Sequence, residues 1–224
     1  MNPIIVINFK TYKESSGDNA RELVKSLNKA KSPATVILCV QTADIFSVSQ
    51  ISHFPIFSQH VDYQESGRST GYTTIEDLKF RGAIGSMLNH SEHPLNYSTI
   101  EKTLERCKQT NFHSILCAKS LKIAEKELKL KPDMLAFEVP ELIASGKAIS
   151  QYKSQSVKKF AQLVANFNKK YKTHIKALCG AGISNAQDVS SAVELGCDGV
   201  LVSSSIVKSK EPAKLLREMI ECTK

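Results

Sequence analysis

The stretch IKALCGAGISNAQDVSSAVELGCDGVLVSSS, from Ile175 to Ser205, holds a complete structural unit. Residues 175–179 are a short apolar run with the length and composition of a strand buried on both faces. Gly180-Ala181-Gly182 is a turn, and a helix opens near Ser184. A second buried run, residues 199–202, ends in Ser203-Ser204-Ser205. Strand, turn, helix and strand in this order make a parallel βαβ unit. Working outward, runs of the same kind recur at residues 4–7, 35–39, 56–58, 83–88, 114–117 and 134–137. Segments of helical spacing lie between them. In 19–31 the apolar face carries Leu23, Val24 and Leu27. In 97–109 it carries Ile100, Leu104 and Cys107, and in 154–170 Val157, Phe160, Ala161 and Val164. Pro212 suits the first turn of a last helix. Eight units in 224 residues, about 28 each, predict a single closed (β/α)8 barrel, compact beside the ~250 residues usual for that architecture. Residues 75–80 and 121–130 are the only helical stretches of units three and five, so the helical layer is expected to be thin and oligomerisation plausible. No linker or charge block divides 1–224, which reads as one domain.

Composition agrees. A hydrophobic content of 42% is too high for disorder, and ten Gly and seven Pro are too few for a repetitive or collagen-like chain. Apolar runs such as residues 36–40 are far shorter than the ~20 residues a membrane helix needs. The first eight residues show neither the basic nor the apolar region of a secretory signal. Six cysteines without CxxC spacing, three of them closing apolar runs, read as reduced thiols of a cytoplasmic protein. The net charge of +8 admits nucleic acid, an anionic surface or a small acidic substrate as partner. Trp is absent, and Lys126, Lys129, Lys131, Lys158 and Lys159 alternate with other residues on helical faces, which disfavours nucleic acid.

Barrels of this kind carry their chemistry at the carboxyl ends of the strands. There stand Asn8 and Lys10 after the first strand, Asn89, His90 and Glu92 after the fourth, and Glu138 after the sixth. The Gly180–Ser184 turn follows the seventh strand, and Ser203-Ser204-Ser205 the eighth. Singly, each has an ordinary reading: a solvated lysine, a packed histidine, a strand end before Pro140, two common turns. Together a cation, an imidazole, a carboxylate and two small-residue turns share one rim. The two turns lie where barrels build phosphate sites, with backbone N–H groups at a helix start. Other motifs fail on composition. Gly180-Ala181-Gly182 lacks the third glycine of a dinucleotide loop, and no GxxxxGK[ST] occurs. His90-Ser91-Glu92 has no PCxxC partner, and His90, Glu92 and His93 are too few ligands for zinc. No metal or cofactor is expected.

These stretches resemble the triosephosphate isomerase family, in the short form typical of archaea. The matching residues are Ile7-Asn8-Phe9-Lys10-Thr11-Tyr12, Gln59-His60-Val61-Asp62, Thr70-Gly71, Leu88-Asn89-His90-Ser91-Glu92, residues 138–146, Cys179 to Ser184 with Asp188-Val189, and Leu195-Gly196-Cys197-Asp198-Gly199-Val200-Leu201. They run from end to end in family order. The resemblance implies cofactor-free isomerisation of triose phosphates in glycolysis and gluconeogenesis. Glu138 is then the carbon base, His90 the electrophile and Lys10 the cation, while Asn8 helps fix the substrate. The neutral state of that imidazole is a known property carried over from this same family. The phosphate would rest on Gly182, Ser203 and Ser204, with Ile143 in a lid spanning 139–147. A homo-oligomer, dimer or tetramer, is implied by the loop around Thr70-Gly71. Val139, Ala144, Ser145, Ser205 and the pair His93-Pro94 depart from the family pattern, so altered lid motion and turnover are expected. Two other readings compete: a phosphosugar epimerase, whose chemistry needs metal-binding His and Asp at several strand ends, and a non-catalytic anion-binding barrel.

Overall fold

The computed structural model describes residues 3–30, 35–138 and 154–222. Eight strands pair in chain order into a closed parallel barrel: β1 (Ile4–Asn8), β2 (Thr35–Val40), β3 (Ile56–Ser58), β4 (Gly85–Leu88), β5 (His113–Ala118), β6 (Met134–Phe137), β7 (Lys176–Gly180) and β8 (Gly199–Val202). Both faces of each strand are covered, which is why the runs read as continuously apolar rather than alternating. One phase of the pleat fills the barrel with Val6, Ile37, Phe57, Met87, Ile115, Leu178 and Leu201. The other phase, including Ile5, Leu38, Leu116 and Val200, packs on the helices.

Nine helices are present among the described residues: α1 (Asp18–Leu27), α2 (Ile45–Ser49), α3 (Ile75–Phe80), α4 (Tyr97–Gln109), α5 (Leu121–Leu128), α6 (Ser154–Tyr171), α7 (Ala186–Glu194), α8 (Ser204–Val207) and α9 (Pro212–Glu221). The expected apolar stripes of α1, α4 and α6 are buried. Short polar side chains start several helices: Thr74, Asn96, Ser120 and Asn185 each accept an N–H from the third residue onward. The layer is thin where the sequence predicts it, with six residues in α3 and eight in α5. Several expected boundaries move, α1 among them, which ends at Leu27 rather than near residue 31. β4 begins at Gly85 rather than at Ala83, α5 stops at Leu128, and α7 opens at Ala186 behind its Asn185 cap rather than near Ser184. All six cysteines are free, five of them buried. Among the described residues no helix is long and apolar enough to cross a membrane.

Closure depends on the seam between β1 and β8, where Ile4 faces Gly199 and Ile7 faces Val202. A Cβ at Gly199 would collide with the Ile4 carbonyl. Backbone cannot yield as the end of a flexible side chain can, so Gly199→Ala should cost about 3 kcal/mol or more of stability in urea unfolding. An alanine variant as stable as the parent would show that the seam is not close-packed.

Candidate active site

The pleat itself delivers residues to the upper mouth of the barrel. Ile4 and Val6 belong to the inward phase of β1, and the next inward position is Asn8. On β6, Met134 and Ala136 are followed by Glu138. On β7, Leu178 is followed by Gly180, and on β8, Leu201 by Ser203. Asn8 and Glu138 are buried at 3% and 5% exposure. The pairing Phe137–Cys179 brings Glu138 against Gly180, where a Cβ would lie 2.5 Å from Glu138 Cγ. Only glycine leaves room for this carboxylate.

Lys10 and Asn89 both adopt left-handed backbone, with φ of 48° and 58°. Such geometry is uncommon for side-chain-bearing residues and collects at functional rims. Local bonds hold both turns. The Lys10 N–H donates to Asn8 Oδ1 over 2.9 Å, and Leu95 N–H donates to Asn89 Oδ1 over 2.9 Å. Lys10 Nζ lies 2.6 Å from Glu92 Oε1. The other Glu92 oxygen is 3.6 Å from His90 Nδ1, and His90 Nε2 is 3.4 Å from Glu138 Oε2. Cation, carboxylate, imidazole and carboxylate thus form one line. Glu138 Oε2 is buried and makes no hydrogen bond among the described residues.

Two influences act on the His90 ring. Burial disfavours its charge, but the carboxylate of Glu138 beside Nε2, aided by Glu92 and against Lys10, holds its pKa above the ordinary value. The Glu92 N–H donates to Nδ1 over 3.2 Å. That bond requires an unprotonated Nδ1, so the neutral ring carries its proton on Nε2, on the side of Glu138.

Asn8, Lys10, His90 and Glu138 line one cavity of about 470 Å³ with Gly182, Ser203 and Ser204. The sequence-predicted residues therefore converge, except Ile143 and the lid 139–147, which fall outside the described residues. The turns after β7 and β8 differ in detail from the sequence reading. Ala181 and Gly182 are consecutive left-handed residues, each at φ 73°. The start of α7 is taken by Asp188, whose Oδ2 accepts both the Ser184 N–H and hydroxyl at 2.8 Å. Ser203 begins the short helix α8, and its hydroxyl donates to Asn8 O over 2.7 Å. Ser205, placed where a family glycine is expected, donates to Ile183 O over 2.9 Å and ties the two turns together. Tyr12 and Lys208, which the sequence reading did not assign, also line the cavity, and Lys208 Nζ sits 4.2 Å above the Tyr12 ring. The signal was available in part: Lys208 lies one helical turn beyond Ser204. Among the described residues no three His, Cys, Asp or Glu side chains gather as metal ligands.

The closed (β/α)8 barrel sets the class of protein, and over its cavity, lined also by Lys10, a carboxylate and an imidazole face each other. The chain belongs to the triosephosphate isomerase family. The family model described as Triosephosphate isomerase matches residues 3–220. Relatives named triosephosphate isomerase are similar over nearly the whole length. The one from Methanobrevibacter smithii is 40% identical over 220 residues, covering 97% of both chains. That from Methanothermus fervidus is 38% identical with the same coverage. That from Methanocaldococcus jannaschii is 34% identical, covering 97% of this chain and 99% of its own.

Glu138→Gln should lower the His90 pKa, read from the imidazole resonances in a pH titration, because it removes the charge favouring imidazolium. The linkage has a definite sign. A folded pKa above the unfolded ~6.5 stabilises fully below ~6.5 and is lost as pH rises through the folded value. That component of the stability profile should be missing from Glu138→Gln. An unchanged His90 titration would mean that the two side chains do not interact.

Proposed function

We propose that this chain interconverts dihydroxyacetone phosphate and D-glyceraldehyde 3-phosphate. The observation that carries the reading is the buried Glu138 oxygen, unpartnered among the described residues and 3.4 Å from His90 Nε2 on the wall of the Lys10 cavity. Glu138 takes the proton from the hydroxymethyl carbon of the ketone. The C–H electron pair becomes the C=C bond of an enediolate, and the carbonyl π pair moves onto oxygen. His90 Nε2–H and Lys10 hydrogen-bond that developing oxyanion, which is where preorganised donors contribute most. The hydroxyl proton passes between the two oxygens, and Glu138 returns its proton to the neighbouring carbon, leaving the aldehyde. Asn8 fixes the oxygen of the substrate.

The phosphate rests on the backbone at Gly182, Ser203 and Ser204. The first N–H groups of a helix lack intrahelical acceptors, which leaves those of α8 free for an anion. Lys208 adds positive charge at that rim. Ile143 and the lid 139–147 exclude water from the enediolate, which would otherwise eliminate phosphate. The reaction needs no cofactor or metal and serves glycolysis and gluconeogenesis in the cytoplasm. The chain works as one barrel domain within a homo-oligomer, dimer or tetramer, and does not act on nucleic acid or membranes.

A coupled assay on the purified chain tests the reading. Glu138→Asp withdraws the base by one methylene and should lower kcat by about 100-fold or more, while competition by inorganic phosphate stays nearly unchanged. An unaltered kcat would remove Glu138 as the base. The excess positive charge should steer the dianionic substrate, so kcat/KM should fall as sodium chloride is raised. A flat profile would assign the +8 charge to the general surface.

A further inference from the structure

Glu127 is a buried carboxyl that the proposed chemistry leaves unused. It lies on α5 at 2% exposure. Its Oε1 accepts from Asn89 Nδ2 over 3.0 Å, and its Oε2 has no hydrogen-bond partner among the described residues. The cavity beside it, about 320 Å³, is walled by Leu95, Ile100 and Ile123, with Tyr97 and Lys126 at its edge. Lys126 Nζ lies 3.7 Å over the Tyr97 ring, so that cation is engaged elsewhere. Burial pushes the Glu127 carboxyl up to about 8, against the smaller opposing effects of Asn89 and Lys126. Burial thus favours its neutral form, and Asn89 is its bonded partner.

Asn89 spends three of its four side-chain hydrogen-bonding positions on three different segments. Nδ2 donates to Cys117 O of β5 over 3.0 Å and to Glu127 of α5, and Oδ1 accepts the Leu95 N–H. It does so while held at φ 58°, directly before His90. A left-handed non-glycine residue persists only where its surroundings over-determine it. Rotating this residue would swing the His90 ring away from Glu138, and displacements well under 1 Å change rates when the ring must meet a reacting oxygen.

We infer that Glu127 is a positioning residue for the reaction: through Asn89 it fixes the left-handed turn that aims His90 Nε2 at the base and the substrate oxygen. The inference rests on the function proposed above, and its test separates the two. Four variants of the full chain serve: Glu127→Gln, Glu127→Leu, Asn89→Gly and the Glu127→Leu/Asn89→Gly double. Glutamine preserves a neutral acceptor for the amide, whereas leucine removes it. Glycine tolerates the positive φ but removes the brace.

Glu127→Leu should lower kcat about tenfold with KM within about twofold, because the phosphate turns are untouched. Glu127→Gln should restore kcat. Asn89→Gly should match the leucine variant, and the double should be no worse than the worse single, since both remove one device. The His90 ring nitrogen resonances should move in Glu127→Leu and Asn89→Gly but not in Glu127→Gln. Three outcomes overturn the inference: leucine lowering thermal stability while kcat and the His90 resonances stay unchanged, glutamine losing as much kcat as leucine, or losses that add in the double. Should Glu127→Leu not fold, Asn89→Gly decides alone, unchanged kcat and resonances refuting the brace and their joint change supporting it. A parent chain without isomerase activity would refute the proposed function, while the His90 resonances would still report whether the brace exists.

Discussion

A carboxylate pressed into the space of a missing Cβ governs the mouth of this barrel. Glu138 occupies the next inward position after Ala136, and its methylene fills the volume that Gly180 on the adjacent strand leaves. Once seated, the carboxylate faces an imidazole rather than a full set of hydrogen-bond donors. Buried acids ordinarily collect such donors. This one keeps an oxygen open, which is the condition for accepting a proton from a bound molecule. The backbone N–H of Glu92 completes the arrangement by fixing which nitrogen of His90 bears hydrogen. The arrangement of the mouth therefore arises from packing and main-chain geometry as much as from the charged groups.

The opposite side of the mouth is built from small residues and main chain. Ser203 binds back to Asn8, and Ser205 binds across to Ile183, so the turns after β7 and β8 are one braced surface. Asp188 has already claimed the Ser184 amide at the head of α7. The backbone left facing the cavity is therefore that of the Gly182 turn and the start of α8, not the head of the longer helix.

The barrel was legible because each strand is a short apolar run covered on both sides, and the eightfold recurrence leaves few alternatives. Lys10, His90 and Glu138 were legible as polar residues just past such runs; the pleat sends Glu138 inward, whereas His90 has the phase of the outward Leu88 and reaches the cavity past the left-handed Asn89. Boundaries were less so. Asn185 outcompetes Ser184 as the cap of α7 because its side chain reaches the Asp188 amide. The five residues of α2 and four of α8 are too short to show a helical period. Tyr12 and Lys208 meet across 196 residues of sequence (208 − 12), and Glu127 reads as one more charge on an amphipathic helix. Their roles come from long-range proximity, which local pattern does not encode.

The seam between β1 and β8 bears on how the chain comes into being. Strand β1 finds one of its two partners only when residues 199–202 emerge from the ribosome. Until then β1 presents a bare edge, and every growing intermediate is an open sheet able to pair with a neighbour. Closure late in synthesis joins distant segments, a slow step for a topology rich in non-local contacts. Gly199, by admitting the Ile4 carbonyl so closely, makes that last joining tight. The same glycine that perfects the finished barrel thus seals the edge that the open sheet leaves bare.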